Sequence, residues 1–486
     1  MNPPIGDPAR QHYGRTLLVL LVASLAFALQ QTMVVPALPA IQEELGASTT
    51  SVTFVLTAFL LTASVSTPIV GRLGDMFGKE RMLVISLAIF GTGSLVCALS
   101  HSVEVLIAGR AIQGCAAAVF PLSFGIIRDE FPPERVSTGI GLISATFGIG
   151  GGVGLVATGL IVDNLAYEWI FFLGLAFVIV ATIATFLWVP ESPVKSPAKI
   201  DWGGAALLSG TLVSLLIGVS QANTWGWGDE RTLGLFAGAL ALALAWVFFE
   251  RNHPQPLVDM SMMRERAVAT TNISAILVGF GMFGSFILIP QLVQLPESTG
   301  FGFGASVTEA GLFMAPSAAM MLFAGPLAGW LTSKVGARTP LLMGTAIGAG
   351  SFLLLVLSHE SRLGIYISSA MLGLGIGFAF GSMANLVVEA VHPTRTGVAT
   401  GINTIMRTIG GSLGGQIAAA IVAGHVVAAT GLPERAGFEL AFIMSAAGMA
   451  LAFAATLAIP RRLPFSPERQ QAAPAGAQLA TEQAGG

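Results

Sequence analysis

Fourteen times along the chain, a run of about twenty apolar residues is closed off by turn-forming or charged residues. No other feature restricts the fold so tightly, because a helix of that length matches the hydrocarbon core of a bilayer. The runs lie near 16–38, 49–70, 82–100, 104–127, 136–162, 168–189, 203–221, 231–249, 267–292, 305–330, 339–358, 363–388, 397–423 and 436–459. What surrounds them cannot build a water-facing surface: 10% of the residues are charged, against about 25% in soluble proteins. Mean hydropathy is +0.78. A soluble enzyme and a disordered chain are thereby excluded. The net charge of −3 leaves no basic excess for a phosphate backbone, so no nucleic-acid partner is expected. Cys97 and Cys115 fall inside apolar runs, with no disulfide framework and no metal-ligand spacing. The expectation is an all-α membrane protein with no metal and no cofactor.

Orientation follows from the basic residues. With the N-terminus in the cytoplasm, 18 of the 23 Lys and Arg residues fall in cytoplasmic segments and three (Arg231, Arg362, Arg435) outside. Two, Arg110 and Arg407, are left inside helices. A twelve-span reading that drops 203–249 keeps both ends inside as well, so this bias fixes orientation better than helix number. All seven tryptophans fall at span ends, where an aromatic belt belongs. No cleavage site follows the first apolar run, so it is read as a retained helix. The expected protein crosses its membrane many times, with both termini cytoplasmic. The segment 464–486 has little to bury and is expected to be disordered.

A short pattern occurs twice. Pro68, Gly71, Leu73 and Gly78 recur as Pro326, Gly329, Leu331 and Gly336, all at one offset of 258 residues. Each copy follows the second helix of a six-helix set, which marks parallel repeats of the kind that rock around a central site. The domains expected are 1–200 and 257–463 as six-helix bundles, with an extra helix pair at 201–256. Gly74-Asp-Met-Phe-Gly78-Lys79-Glu80 is one residue too short for a nucleotide loop and has no Ser or Thr after the lysine.

Several stretches resemble a known family. Residues 71–81 resemble the loop signature of the major facilitator superfamily, and Arg110-Ala-Ile-Gln113-Gly114 resembles the fourth-helix motif of its drug exporters. Leu29 to Pro39 is similar to the first-helix signature of the fourteen-helix drug:proton antiporters. Pro190-Glu-Ser-Pro, Ile200-Asp201-Trp202-Gly203 and Arg407 to Gly414 fit that family too. Three positions depart from it. Gln30 replaces the first-helix acid, Gly154-Leu155-Val-Ala-Thr158-Gly159 lacks the proline of the fifth-helix motif and has Thr158 for one of its glycines, and Ser333 stands where the first loop copy has Asp75.

The resemblance implies the major facilitator fold, with two six-helix bundles, a central extra pair and fourteen transmembrane helices. It implies a secondary transporter, not an enzyme, that exports amphipathic small molecules by alternating access. The proton gradient would supply the energy, and lipid and substrate would be the partners of a monomer. A gate is expected from Gly71, Asp75, Gly78, Lys79, Arg81 and Asp129, with Asp75 facing the start of span thirteen. Helix N-termini attract carboxylates.

Ionisable groups inside a membrane are costly and usually functional, and here no acid falls at mid-depth. Arg110 lies about 9 Å and Gln30 about 12 Å from the external ends of their spans, and Arg407 about 14 Å from the cytoplasmic end of its own. Arg110 is either a structural arginine bonded to carbonyls, Gln30 or Gln113, or it faces an acidic substrate group, as Arg407 would. Gln30, Gln31, Arg110, Gln113, Asn403, Arg407 and Gln416 are the expected cavity residues. Proton coupling would pass through Asp75, Asp129, Glu309 or Glu389, or through the substrate's own ionisation. An uncoupled facilitator or lipid mover, and a non-transporting receptor or scaffold, remain as competing readings.

Overall fold

The computed structural model describes residues 13–195, 200–427 and 430–460, so the segment 464–486 lies outside the described residues. Among these, fourteen helices are long and apolar enough to cross a membrane, which removes the twelve-span alternative. The first six are α1 (Tyr13–Glu44), α2 (Thr49–Phe77), α3 (Lys79–Ala98), α4 (Val103–Gly114 and Val119–Glu130), α5 (Pro133–Asn164) and α6 (Glu168–Trp188). The extra pair is α7 (Trp202–Trp225) and α8 (Glu230–Asn252). The last six are α9 (Arg266–Gln294), α10 (Val307–Val335), α11 (Arg338–Ser358), α12 (Arg362–Ala390), α13 (Thr396–Ala423) and α14 (Arg435–Leu457).

Most helices overrun the apolar runs that announce them, because Asp, Glu, Asn and Gln at their ends continue the turns beyond the apolar stretch. One span departs from a single rod. α4 is interrupted at 115–118, where Cys115, Ala116 and Ala117 make tight bonds to carbonyls three residues back. Two causes coincide there. Pro121 cannot donate to the carbonyl of Ala117 and crowds it, and Gly114 lies against the α2 backbone at Phe59 and Ala63.

Glycine and alanine set how closely the helices approach, as expected where lipid offers no hydrophobic drive for association. α5 and α10 run antiparallel in contact along their length. A Cβ on Gly141 would strike the Gly325 carbonyl, and Gly148, Gly152 and Gly159 face Met321, Ala318 and Thr308 in turn. The second seam between the halves, α2 against α13, is drawn close near the face that carries the loop motif (the motif face). There a Cβ on Gly71 would meet the Gly397 carbonyl oxygen at 2.6 Å. Toward the opposite face α7 bridges the two: Thr57 of α2 bonds Ser220 at 3.1 Å, and Asn223 donates to the Gln416 side chain of α13 at 2.8 Å.

Thr158, at the departed position in α5, donates to Met33 O of α1 at 2.9 Å, and Thr32 donates back to Gly150 O at 2.7 Å. Hydroxyl bonds thus join α1 and α5 in this region.

Candidate transport site and gate

At the motif face α2 ends on Gly78, whose φ of +118° is open to glycine and strained for other residues. One turn earlier Asp75 is fully buried, and its two oxygens accept the N–H groups of Gly397 and Val398, each at 3.1 Å. These are donors of the first turn of α13 that have no partner within their own helix. A carboxylate of one half therefore caps a helix of the other.

Lys79, also fully buried, donates to Asp129 at 2.7 Å and stands 3.6 Å from Asp75. Gly125 makes room for its stem, since a Cβ there would overlap Lys79 Cδ and Cε. Asp129 also accepts the Ser192 hydroxyl from the segment after α6. Beside it Arg128 reaches across the seam and donates to Thr396 Oγ1 and Val391 O, both at 2.7 Å. Glu389 lies within electrostatic range of Arg128. Gly71, Asp75, Gly78, Lys79 and Asp129 thus converge on one contact between the halves, termed the latch. Arg81 does not: it is exposed at the start of α3 and bonds none of these groups.

The residues expected to line a cavity separate into groups. Arg110 is 1% exposed and donates from Nη1 to Gln113 Oε1 at 2.7 Å and from Nε to Val55 O at 3.4 Å, with its guanidinium over Phe59. Gln113 donates to Gln30 Oε1 and Ser94 Oγ, and Gln30 donates to Phe171 O. Gln30, Arg110 and Gln113 are therefore closed inside the N-terminal bundle, away from the seam, because the glycine at Gly174 of α6 leaves the space Gln30 fills. Asn403 is closed inside the C-terminal bundle, donating to Asn272 Oδ1 at 3.0 Å. Gln416 accepts from Asn223 of α7. Gln31 is half-buried, and its Oε1 has no partner among the described residues. Glu309 is an exposed capping-box residue, joined reciprocally with Ser306 at the start of α10. That pairing is a sufficient reason for its presence.

Arg407 has the opposite environment. Its guanidinium lies 4.0 Å from the ring centre of Phe380 of α12 and 5.4 Å from that of Phe147 of α5. The two rings meet edge-on across the halves at 5.6 Å. The side chain is half-buried, and no acceptor or carboxylate among the described residues pairs with it. Phe147 also touches Phe120, which touches Phe27, so an aromatic run leads from α1 through α4 and α5 to Arg407.

Arg128, Ser192, Phe147 and Phe380 do not stand out by their residue types. Arg128 carried a signal, as the basic neighbour of Asp129 at the end of α4. The phenylalanines, among 30 in the chain, carried none.

The Major Facilitator Superfamily model matches residues 20–415. The chain is 30% identical over 388 residues to the tetracenomycin C resistance and export protein of Streptomyces glaucescens, covering 79% of this chain and 71% of that one. It is 29% identical to the multidrug transporter protein MdtP of Bacillus subtilis, covering 79% and 71%. The multidrug resistance protein Stp of Mycobacterium tuberculosis is 27% identical, with 79% and 72% covered. Among solved structures, the human organic anion transporter MFSD10 superposes with a TM-score of 0.66 at 17% identity, covering 93% of this chain and all of that one. Fourteen apolar helices, a latch built on the repeated loop pattern and a family match over most of the chain lead to one assignment: the protein belongs to the Major Facilitator Superfamily, a family of transporters and not of enzymes.

Proposed function

We propose that this protein exports amphipathic small molecules, neutral or acidic, by alternating access coupled to proton entry, from a bacterial inner membrane with the motif face cytoplasmic. The observation that carries the reading is Arg407: a guanidinium at the seam of the two halves, seated on two rings, with no counter-ion among the described residues. An arginine held inside a membrane protein without a carboxylate is costly, and its planar donor fork suits a carboxylate or enolate. The flanking phenylalanines suit the apolar body of an aromatic ligand. Export is supported by relatives named for drug and tetracenomycin C resistance. Alternating access is supported by a latch that closes the motif face while α7 spans the α2–α13 seam toward the other.

Reconstituted protein in proteoliposomes tests this. Wild type is expected to move acidic aromatic compounds faster under an imposed pH gradient, and Arg407→Gln to lose about tenfold or more of that rate. Preferential transport of dications, or an Arg407→Gln variant equal to wild type on acids, overturns the substrate assignment. Equal rates with and without the gradient overturn the coupling.

A further inference from the structure

A second buried charge cluster lies at the foot of the extra helix pair, away from Arg407. Asp201 caps α7 with Oδ1, which accepts the Gly204 N–H at 2.8 Å. Its Oδ2 is buried and has no hydrogen-bond partner among the described residues. Glu250, at the end of α8, is 2% exposed, and Oε1 accepts the Trp246 indole N–H at 3.0 Å. A Cβ at residue 204 would overlap both Asp201 Oδ2 and Glu250 Oε1, so the two oxygens face one gap within about 5 Å of each other. Two buried carboxylates at that range cannot both carry charge comfortably, and Asp201 is the one that caps a helix.

His253 stands at the edge of the pair: its Nδ1 lies 3.8 Å from Asp201 Oδ2 and accepts the Gln255 N–H. A carboxyl proton on Glu250 is the donor that Oδ2 lacks. We propose that Asp201 and Glu250 form a one-proton binding site, and that its occupancy tunes the latch at the motif face.

The site has a route to water and a route to the latch. Glu250 and His253 line an open recess of about 340 Å³, with Arg251, Asp259, Ser261 and Arg264 around it. The proton leaves Glu250 for water in that recess, and Glu250 becomes an anion. Arg72 of α2 lies within electrostatic range of Glu250, Asp75 and Arg395. With Glu250 neutral, the field of Arg72 supports the Asp75 carboxylate that caps α13. With Glu250 ionised, the two acids compete for it.

Two of the neighbouring groups are held below their usual ranges. Burial pushes the Asp259 carboxyl up, but bonds from the Ser261 hydroxyl and N–H, with Arg395 beside it, hold it below the usual carboxylate range. Burial, with Arg128 and Arg395 close by, holds the His392 ring below the usual imidazole range, so it is neutral at neutral pH.

This deepens the coupling part of the proposed function, and its first test needs no transport. Infrared difference spectra of the full-length protein in lipid nanodiscs, taken across neutral pH, should show a carboxylic-acid carbonyl band that titrates as one proton. The band should be lost in Glu250→Gln and in Asp201→Asn and kept in Asp75→Asn. Gly204→Ala, which crowds the shared gap, should shift its midpoint. Spin labels on Arg81 and Lys334, exposed and in different halves, should report more of the latched form as pH falls through neutral for wild type and no such rise for Glu250→Gln. Measured in the Asp75→Asn background, a band that survives in Glu250→Gln, or two independent titrations, overturns the one-proton site. A titrating band without any change in the label distance overturns the tie to the latch. Absence of pH-driven transport alongside an intact band defeats only the coupled-export reading.

Discussion

Arg110 and Arg407 both sit within apolar helices, yet one is enclosed by acceptors and the other by rings. For Arg110 the acceptors are Gln113 Oε1 and Val55 O, with Gln30 and Ser94 extending the network. Arg110→Ala strips a buried network of its donor and should cost about 2–4 kcal/mol, read as a lower Tm for the detergent-purified protein. Arg407→Ala leaves no acceptor orphaned, so Tm should hold or rise while transport of acidic substrates falls. Equal Tm losses for the two variants would contradict this division. Composition and spacing located both arginines, because a charge inside an apolar run stands out. They did not show which one was satisfied, since that depends on helix rotation. Gly174 on α6 decides where Gln30 points, and nothing near residue 30 in the sequence records it.

At the scale of elements, the latch depends on one helix end meeting one carboxylate. Asp75→Asn keeps the shape but removes the charge, and a helix-terminus interaction in a partly buried setting is worth up to about 2 kcal/mol. The equilibrium should move by about 5–30-fold toward an open motif face, seen as a longer Arg81–Lys334 spin-label distance. Gly71→Ala should do the same with Asp75 intact, because its Cβ would push on the Gly397 carbonyl. An unchanged distance in both variants would remove the latch role. The sequence carried this element well, since the loop pattern, its glycine turn and the following helix start are all local signals. It carried the break in α4 poorly. The tertiary half of that cause, Gly114 against α2, is invisible from within the span.

Across the whole molecule, the offset of 258 residues seen in the sequence reappears as geometry. Gly71 approaches the start of α13, and Gly329 approaches the start of α5 at Ser137 and Thr138. Four residues further along each copy, the halves diverge. Asp75 caps its opposing helix, whereas Ser333 is exposed and its hydroxyl bonds back to Trp330 O. Asn385 supplies the cross-half bond on that side, donating to Ser137 O at 3.3 Å. Ser333→Asp should therefore add a second carboxylate facing a helix start, bias the molecule toward the latched form and slow turnover several-fold. A variant with wild-type turnover and label distance would show that the repeat geometry does not extend to that residue. The fourteen spans were legible because each carries its own apolar run, and their pairing across the seams was not, because glycines are spread through nearly every helix.

Arg407 also has an electrical meaning. A fixed positive charge near the middle of a membrane feels the transmembrane voltage whenever the surrounding barrier changes sides, at about 2.3 kcal/mol per charge for each 100 mV. Under the proposed cycle, an acidic cargo cancels that charge on the outward stroke and leaves it bare on the return. The empty carrier's reset then becomes the electrogenic half of the cycle.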